Sequence, residues 1–543
     1  MSNQKQLAVV LGLLVAMGCQ SALTFASPLV PSSDTDARQL EKNWVPKAEK
    51  KPALENQTPT LQPLPKDYSF YVTRIHFEGV TNPDEQFDLQ NLAAKYKKRN
   101  VTMKDLQQLS GEVHNYYYGK GLLLAEAILP PQTITGGEVT MKVFTGHLGN
   151  VTLQNNSRFR TERLEDYVHV LKPGELIKQR KVNDVVNNID NLHGLKAHGV
   201  LMPGKEPGTA DLTIQVQDRK VSTSSVYVDN AGNKFTGWYH LGFNTEFDNL
   251  SHIGDMLTFG ASTTNKHTYN FNVNYEIPVG SRGSLVGVGL NRLNYGYQFN
   301  DFINAQGKTT TYSLYGKTPI LNDGWRLIKL VYGFDHRNIR DEYILGNLSA
   351  TTKKTSNAGY VGFAGHYNDP HYYNGYNLFY RNGFVNYEDS PSDKQHFGRF
   401  NLDMIHVQHL APHWDFRVNL HGQATNQSLD SSEQMSLGGM SGVRAYAQGE
   451  ATGDKGIQYT TEMVYKTGVT GLSVSTYFDS GYIVQNASHT GRSLSGYGFG
   501  LEYLKPLKWY ARLDYARKIN GQYDFSERSN NLDRFWFQVY KLF

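Results

Sequence analysis

A chain of 543 residues is longer than one ordinary domain, so two to four units are expected. Tyr (35), Gly (51) and 12% aromatics accompany a polar mean hydropathy of -0.51, and past the extreme N-terminus no run nears the ~18 uninterrupted apolar residues of a spanning helix. A helical membrane protein is thereby excluded, and a net charge of +4 is too small to argue for nucleic acid. Any contact with a bilayer must be made by strands.

The N-terminus predicts a secretory signal over residues 1–26: Lys5 is the basic region, Leu7 to Met17 the apolar core, and Thr24-Phe25-Ala26 the small-residue cleavage context. A lipoprotein signal would use Cys19, but Ala16 stands where an aliphatic residue is preferred. Cleavage after Ala26 removes this only cysteine, which leaves a thiol-free chain suited to an oxidising periplasm, with no disulfide or Cys-ligated metal. Residues 27–68 carry seven prolines and few apolar residues, so they read as a tether that does not fold alone. One helix is predicted within it, over Asp34 to Val45, capped by Ser33 with Asp36 at the third position and Leu40, Trp44 and Val45 on one side. It either frays in water or docks on or inside the rest of the protein.

Two small α/β units follow, at 69–146 and 147–218, each of about 75 residues in β-α-α-β-β order. The first opens on the strand Tyr71 to Val80, the second on Leu148 to Gln154 with helices Thr161 to Leu171 and Val182 to Leu192. From 219 to 543 the period changes to two. Tyr269-Asn270-Phe271-Asn272-Val273-Asn274-Tyr275-Glu276-Ile277 alternates without exception, and about sixteen such segments recur. Every second connection is short, such as Val279 to Arg282, and the intervening ones read as long and polar, such as Asn338 to Ser356 and a loop over 428–456. An even strand count, short turns on one side and long loops on the other predict a closed antiparallel transmembrane β-barrel with both ends in the periplasm. The last strand ends on Phe543, the aromatic terminus that outer-membrane assembly machinery accepts, although Lys541 departs from its apolar face.

These parts, in this order, resemble the two-partner secretion transporters of the TpsB type, which share a superfamily with the barrel-assembly insertases. The resemblance covers nearly the whole mature chain. Val226-Tyr227-Val228-Asp229-Asn230 with Thr236-Gly237 is similar to the family's first barrel hairpin. Gly442-Val443-Arg444-Ala445-Tyr446 is similar to its VRGY loop between strands eleven and twelve, and Tyr477-Phe478-Asp479-Ser480-Gly481 to its F/G-x-D-x-G motif on strand thirteen. Ala445 replaces the usual Gly, and Tyr477 stands where Phe or Gly is typical; an Ala fits only if its φ is negative. The resemblance implies two POTRA domains and a sixteen-stranded barrel, and it pairs Arg444 with Asp479 as a conformational lock. Read alone, each charge is a solvated surface group. A guanidinium folded back into a lumen, however, needs a carboxylate partner.

The implied function is export of a large β-helical TpsA-type exoprotein, an adhesin, haemolysin or contact-dependent inhibition toxin, from periplasm to cell surface without nucleotide hydrolysis or cofactor. POTRA units would bind substrate at sheet edges or grooves, and the 34–45 helix and the Val443 to Tyr446 hairpin would plug the resting pore. Further partners implied are outer-membrane lipid, lipopolysaccharide and, during biogenesis, the barrel-assembly machinery. The alternative is an insertase of the same superfamily, which would carry a different POTRA number and no Pro-rich tether. A passive porin gives no reason for two POTRA units. An enzyme is not indicated: the 18 histidines show no metal spacing, and His240 and His421 fall on inward polar faces. The run Gly496-Tyr497-Gly498-Phe499-Gly500 lies in an alternating strand, and its glycines predict a smooth inner wall where a hairpin or substrate backbone comes close.

Overall fold

The computed structural model describes residues 54–56 and 69–543, apart from 123, 207, 220–223, 267, 299–302, 324, 389, 506–507, 520–523, 525–526 and 528–529. The expected signal peptide and the 34–45 helix with Leu40 and Trp44 lie outside the described residues. Two units divide the chain near residue 219.

The first unit contains both α/β modules. In the N-terminal one, β3 (Arg74–Glu78) pairs parallel with β6 (Glu138–Phe144), which pairs antiparallel with β5 (Glu126–Ile128). Helices α1 (Pro83–Leu92) and α2 (Met103–Gly119) accompany this sheet. Thr102 and Asp105 form a reciprocal capping box at the start of α2, satisfying two orphan N–H groups. Leu106, Leu109, Val113 and Tyr117 recur at helical spacing and are buried in one core with Ile75, Val139 and Met141. The predicted opening strand is split: β2 (Ser69–Val72) pairs with β4 (Arg99–Thr102), and only then does β3 begin.

The second module repeats the order with β7 (His147–Asn156), α3 (Thr161–Val168), α4 (Gln179–Asp190), β8 (Leu195–Pro203) and β9 (Thr209–Asp218). Its sheet gains a fourth strand that composition gave no reason to expect. Residues 54–56 of the Pro-rich segment, β1 (Leu54–Asn56), lie parallel on the edge of β8. A sheet edge offers unpaired backbone groups whatever the sequence of the incoming strand, so even a stretch too polar to fold alone can be ordered there.

The second unit is a closed barrel of sixteen antiparallel strands. They are β10 (Ser225–Asp229), β11 (His240–Asp248), β12 (Met256–Thr264), β13 (Tyr269–Val279), β14 (Ser284–Gln298), β15 (Ile303–Asn322), β16 (Arg326–Leu345), β17 (Leu348–Asn368), β18 (Tyr372–Tyr387), β19 (Ser390–Ala411) and β20 (Trp414–Ala424). After a loop holding β21 (Met435–Leu437) and β22 (Ala451–Gly453) come β23 (Lys455–Lys466), β24 (Leu472–Gln485), β25 (Thr490–Lys505), β26 (Trp509–Lys518) and β27 (Asp533–Leu542). The β10–β27 ladder from Ser225↔Leu542 to Asp229↔Gln538 closes the ring.

Alternation sorts the side chains by face. Leu241, Phe271, Leu314, Phe363, Phe499 and Phe535 stand exposed on the outside, whereas Asn272, Glu276, Arg381, Gln423 and Asp514 are buried on the inside. Lys541 is outward, but its ammonium lies 4.4 Å over the Trp509 ring, which lets an amphipathic side chain sit at the rim of an apolar face. Asn338 to Ser356 is not the expected long loop. Strands β16 and β17 stay paired to Leu345↔Leu348, and only Gly346 (φ 57°) and Asn347 turn the chain. An apolar band of ~25 Å needs strands of about ten residues, so the 20 and 21 residues of β16 and β17 carry this hairpin well beyond it.

Candidate lock site inside the barrel

Between Ala424 and Lys455 the chain folds back into the lumen. The β21–β22 ladder, Met435↔Gly453 to Leu437↔Ala451, forms the neck of this loop. Gly438 (φ 90°) and Gly439 (φ 101°) then take backbone angles that other residues resist, and Tyr446 N–H donates to the Val443 carbonyl at 3.0 Å to close the tip. Met435, Leu437, Val443, Ala445, Tyr446 and Ala451 share one apolar cluster with wall residues Tyr477, Ile483, Leu494 and Ala516. Burial of this apolar flank is what brings a charged tip out of water.

Arg444 is 5% exposed and Asp479 fully buried. The contact is bidentate: Nε and Nη2 of Arg444 donate to the two Asp479 oxygens at 2.9 and 2.8 Å, and the Arg444 backbone N–H adds a third bond at 3.1 Å. Thr460 Oγ1 donates to the same carboxylate at 2.8 Å. The remaining guanidinium nitrogen, Nη1, reaches Asp514 at 3.0 Å, and the plane lies over the Tyr477 ring. Burial disfavours the cation, but Asp479 and Asp514 together push the Arg444 pKa above its ordinary value. Trp536 Nε1 donates to the Arg444 carbonyl at 2.7 Å, so the last strand also holds the tip.

The pair belongs to a larger network. Arg512 binds Asp514 (Nε, 2.8 Å), Glu462 (2.6 Å) and Glu502 (3.3 Å), and Arg417 approaches Glu502 at 3.5 Å. Of these groups the sequence singled out only Arg444 and Asp479. Asp514, Arg512, Glu462 and Trp536 were missed, although Arg512-x-Asp514 on one face of β26 is a readable sign of an internal ion pair.

Both departures from the family motifs have a local complement. Ala445 keeps a negative φ, so its methyl is unstrained, and it faces Gly496: a Cβ built there would lie 2.4 Å from the Ala445 Cβ. Tyr477 donates its hydroxyl to the Tyr515 carbonyl at 3.0 Å, in space left by Gly498, where a Cβ would lie 2.5 Å from the Tyr477 hydroxyl oxygen and 2.1 Å from the Tyr515 carbonyl oxygen. The glycine wall expected on β25 is therefore where the hairpin is seated. Gly481 likewise faces Leu437, and Gly442 sits against the Gly438 carbonyl. Phe478, by contrast, has the opposite facing from Asp479, near Tyr459 at 6.1 Å between ring centroids, and takes no part in the site. Phe543 is exposed, its N–H bound to the Ser224 carbonyl at 2.9 Å. His240 and His421 pair with Asp229 (2.9 Å) and Asp403 (2.6 Å).

Comparison with known proteins agrees with this architecture. Residues 70–146 match the POTRA domain, ShlB-type. The heme/hemopexin transporter protein HuxB of Haemophilus influenzae (strain 86-028NP) is 27% identical, over 94% of this chain and 95% of that protein. The outer membrane transporter CdiB of Dickeya dadantii (strain 3937) is 23% identical over 82% of each. Among solved structures, CdiB from Escherichia coli superposes with a TM-score of 0.69 at 16% identity, covering 97% of this chain and 99% of that one, which shows a shared fold. Residues 208–503, more than half of the chain, match the model described as haemolysin secretion/activation protein ShlB/FhaC/HecB, and the chain belongs to that family of outer-membrane secretion transporters.

Proposed function

We propose that this protein carries a large TpsA-type exoprotein from the periplasm to the cell surface, the POTRA units receiving the unfolded chain and the barrel conducting it. The observation that carries the reading is the loop seated in the lumen, its Arg444 bidentate to Asp479. A gated barrel behind two POTRA units suits a conduit for polypeptide and serves no purpose in a passive porin. The protein sits in the outer membrane, is no catalyst and needs no cofactor; folding of the exported chain outside supplies the direction. The family match is to secretion transporters rather than to insertases. The full-length relative from H. influenzae bears a heme/hemopexin transport name, which adds a haem-acquisition exoprotein to the adhesins, haemolysins and inhibition toxins as candidate cargo. Outer-membrane lipid, lipopolysaccharide and the barrel-assembly machinery are the remaining partners on this reading.

We further propose that Arg444 and Asp479 act as the lock, with Gly442, Val443, Ala445 and Tyr446 shaping its hairpin and Tyr477 and Gly481 its seat. Replacing Arg444 or Asp479 is expected to abolish secretion of the co-expressed exoprotein while the barrel still inserts. Normal secretion by both variants would remove the lock from the mechanism.

A further inference from the structure

The lumenal loop is held at a second place, where the signs of charge are reversed. Its first turn presents acids to a basic wall. Glu433 is 1% exposed, and its carboxylate meets Arg337 Nη1 at 3.4 Å, Arg381 Nε at 3.4 Å and Arg399 Nη2 at 3.0 Å, with Ser356 Oγ at 3.3 Å. Asp430 receives Lys354 Nζ at 2.9 Å and the Tyr387 hydroxyl at 2.7 Å. These partners lie on β16 to β19, whereas the Arg444 guanidinium is held by β24 and β26.

The set is not matched in donors and acceptors. Asp335 takes one Arg381 nitrogen at 2.5 Å, and Gln423 takes Arg399 Nη1 at 2.8 Å. Even so, Arg337 Nε, Arg381 Nη2 and Arg399 Nε are buried with no hydrogen-bond acceptor among the described residues. Donors left over in this way remain open to a further acceptor. Three planar guanidiniums converging on one carboxylate, with donors to spare, suit recognition of carboxylates in general.

We propose that Arg337, Arg381 and Arg399 form a carboxylate-binding cradle of the lumen, that Glu433 is its resting occupant, and that acidic side chains of the exported polypeptide take its place when the loop lifts. The proposal rests on the reading of the barrel as a polypeptide conduit. Exchange of one carboxylate for another leaves the guanidiniums paired throughout, so loop release does not strand buried cations, which would be the costly outcome. The fitting partner is an extended segment carrying Asp or Glu.

The test uses the full-length protein in planar bilayers with succinate as the probe. A tethered carboxylate competes at an effective concentration of about millimolar or more, so Glu433→Ala is expected to lower the half-blocking succinate concentration by about tenfold relative to the unmodified protein. Glu433→Gln, which keeps the side-chain volume, is expected to do the same, and adding Arg381→Gln and Arg399→Gln to either should abolish the block. Equal sensitivity of the unmodified and Glu433 variants, or a block that survives loss of both arginines, overturns the cradle. Export is scored separately. Normal export without any Glu433-dependent block removes the cradle and leaves the conduit, whereas the expected block in a protein that exports nothing removes the conduit and leaves a carboxylate site.

Discussion

Asp479→Asn tests the lock with little change in shape. Asp479 accepts three bonds from Arg444, at 2.8, 2.9 and 3.1 Å, and one from Thr460 at 2.8 Å. The amide keeps the volume, removes the charge and replaces one acceptor by a donor aimed at a guanidinium. Removing one partner of a buried ion pair costs about 3–5 kcal/mol. The lower end applies, because Arg444 keeps Asp514 at 3.0 Å; that carboxylate cannot compensate fully, since Arg512 already holds it at 2.8 Å. About 3 kcal/mol corresponds to roughly two orders of magnitude in the equilibrium between docked and lifted loop. Ala447 is fully buried and small, so Ala447→Cys places a thiol that maleimide reaches only when the loop lifts. The only native cysteine is Cys19. Labelling in Asp479→Asn is expected to accelerate by about a hundredfold when opening and closing are fast relative to the reaction. A rate unchanged within about twofold would show that the apolar flank alone keeps the loop seated and that the Arg444–Asp479 pair contributes nothing.

Three further outcomes are expected. Gly496→Ala should drive its methyl into Ala445, 2.4 Å away, and raise labelling at Ala447→Cys, while the double variant Gly496→Ala with Ala445→Gly should restore protection; additive damage would contradict the contact. The Glu433 contact should be insensitive to pH over the neutral range: burial raises its pKa, but Arg381, Arg337 and Arg399 hold it at about 2 against an ordinary 4.5. This depressed carboxylate stabilises docking fully above about 4.5 and progressively less as pH falls towards 2, so bilayer conductance should be flat from neutral pH to about 5 and rise below. Deleting residues 34–45 should raise single-channel conductance if Leu40 and Trp44 belong to a plug, and unchanged conductance would leave that segment as a tether.

Period-two alternation was enough to place sixteen strands, because a lipid-facing side chain and a lumen-facing one follow each other at every step, as along Tyr269 to Ile277. Alternation does not say where the membrane ends, which is why Asn338 to Ser356, rich in charged and hydroxyl side chains, read as a loop although its backbone keeps pairing to Leu345↔Leu348. The Arg444–Asp479 pair was legible only through resemblance, since a lone Arg444 and a lone Asp479 have no sequence relation to each other. Two of their supports were illegible for the same reason: Glu462 and Trp536 meet Arg512 and Arg444 only after β23 and β27 are brought beside them by barrel closure, whereas Arg512 and Asp514 already share a face of β26. The glycines of β25 were different. Three small residues on one face of a strand with aromatics on the other imply that something approaches that face, and Ala445 does. Residues 54–56 could not be read at all, because parallel addition to an edge is made by backbone groups that every sequence has.

The two loop anchors differ in sign, and that difference bears on how such a gate can open. Around the Arg444 site, the strands β23 to β26 present Glu462, Asp479, Glu502 and Asp514 against Arg512 and the Arg417 of β20, while Arg492 of β25 separately meets Glu450 of the loop at 2.5 Å and Lys518 of β26 meets Asp524 at 2.9 Å. The wall of β16 to β19 presents Arg337, Lys354, Arg381 and Arg399 against Asp335 and Asp341. Arg444 supplies the missing positive charge on one side, and Asp430 and Glu433 supply the missing negative charge on the other. A lifted loop would therefore leave two local patches of opposite sign around its two anchors, each short of partners in a confined space where water screens poorly. Bare opening is costly. Opening in the presence of a chain that carries both acidic and basic side chains is not, because that chain restores both sets of contacts as the loop gives them up. In the proposed conduit, gate release would then be coupled to the arrival of cargo through charge placement.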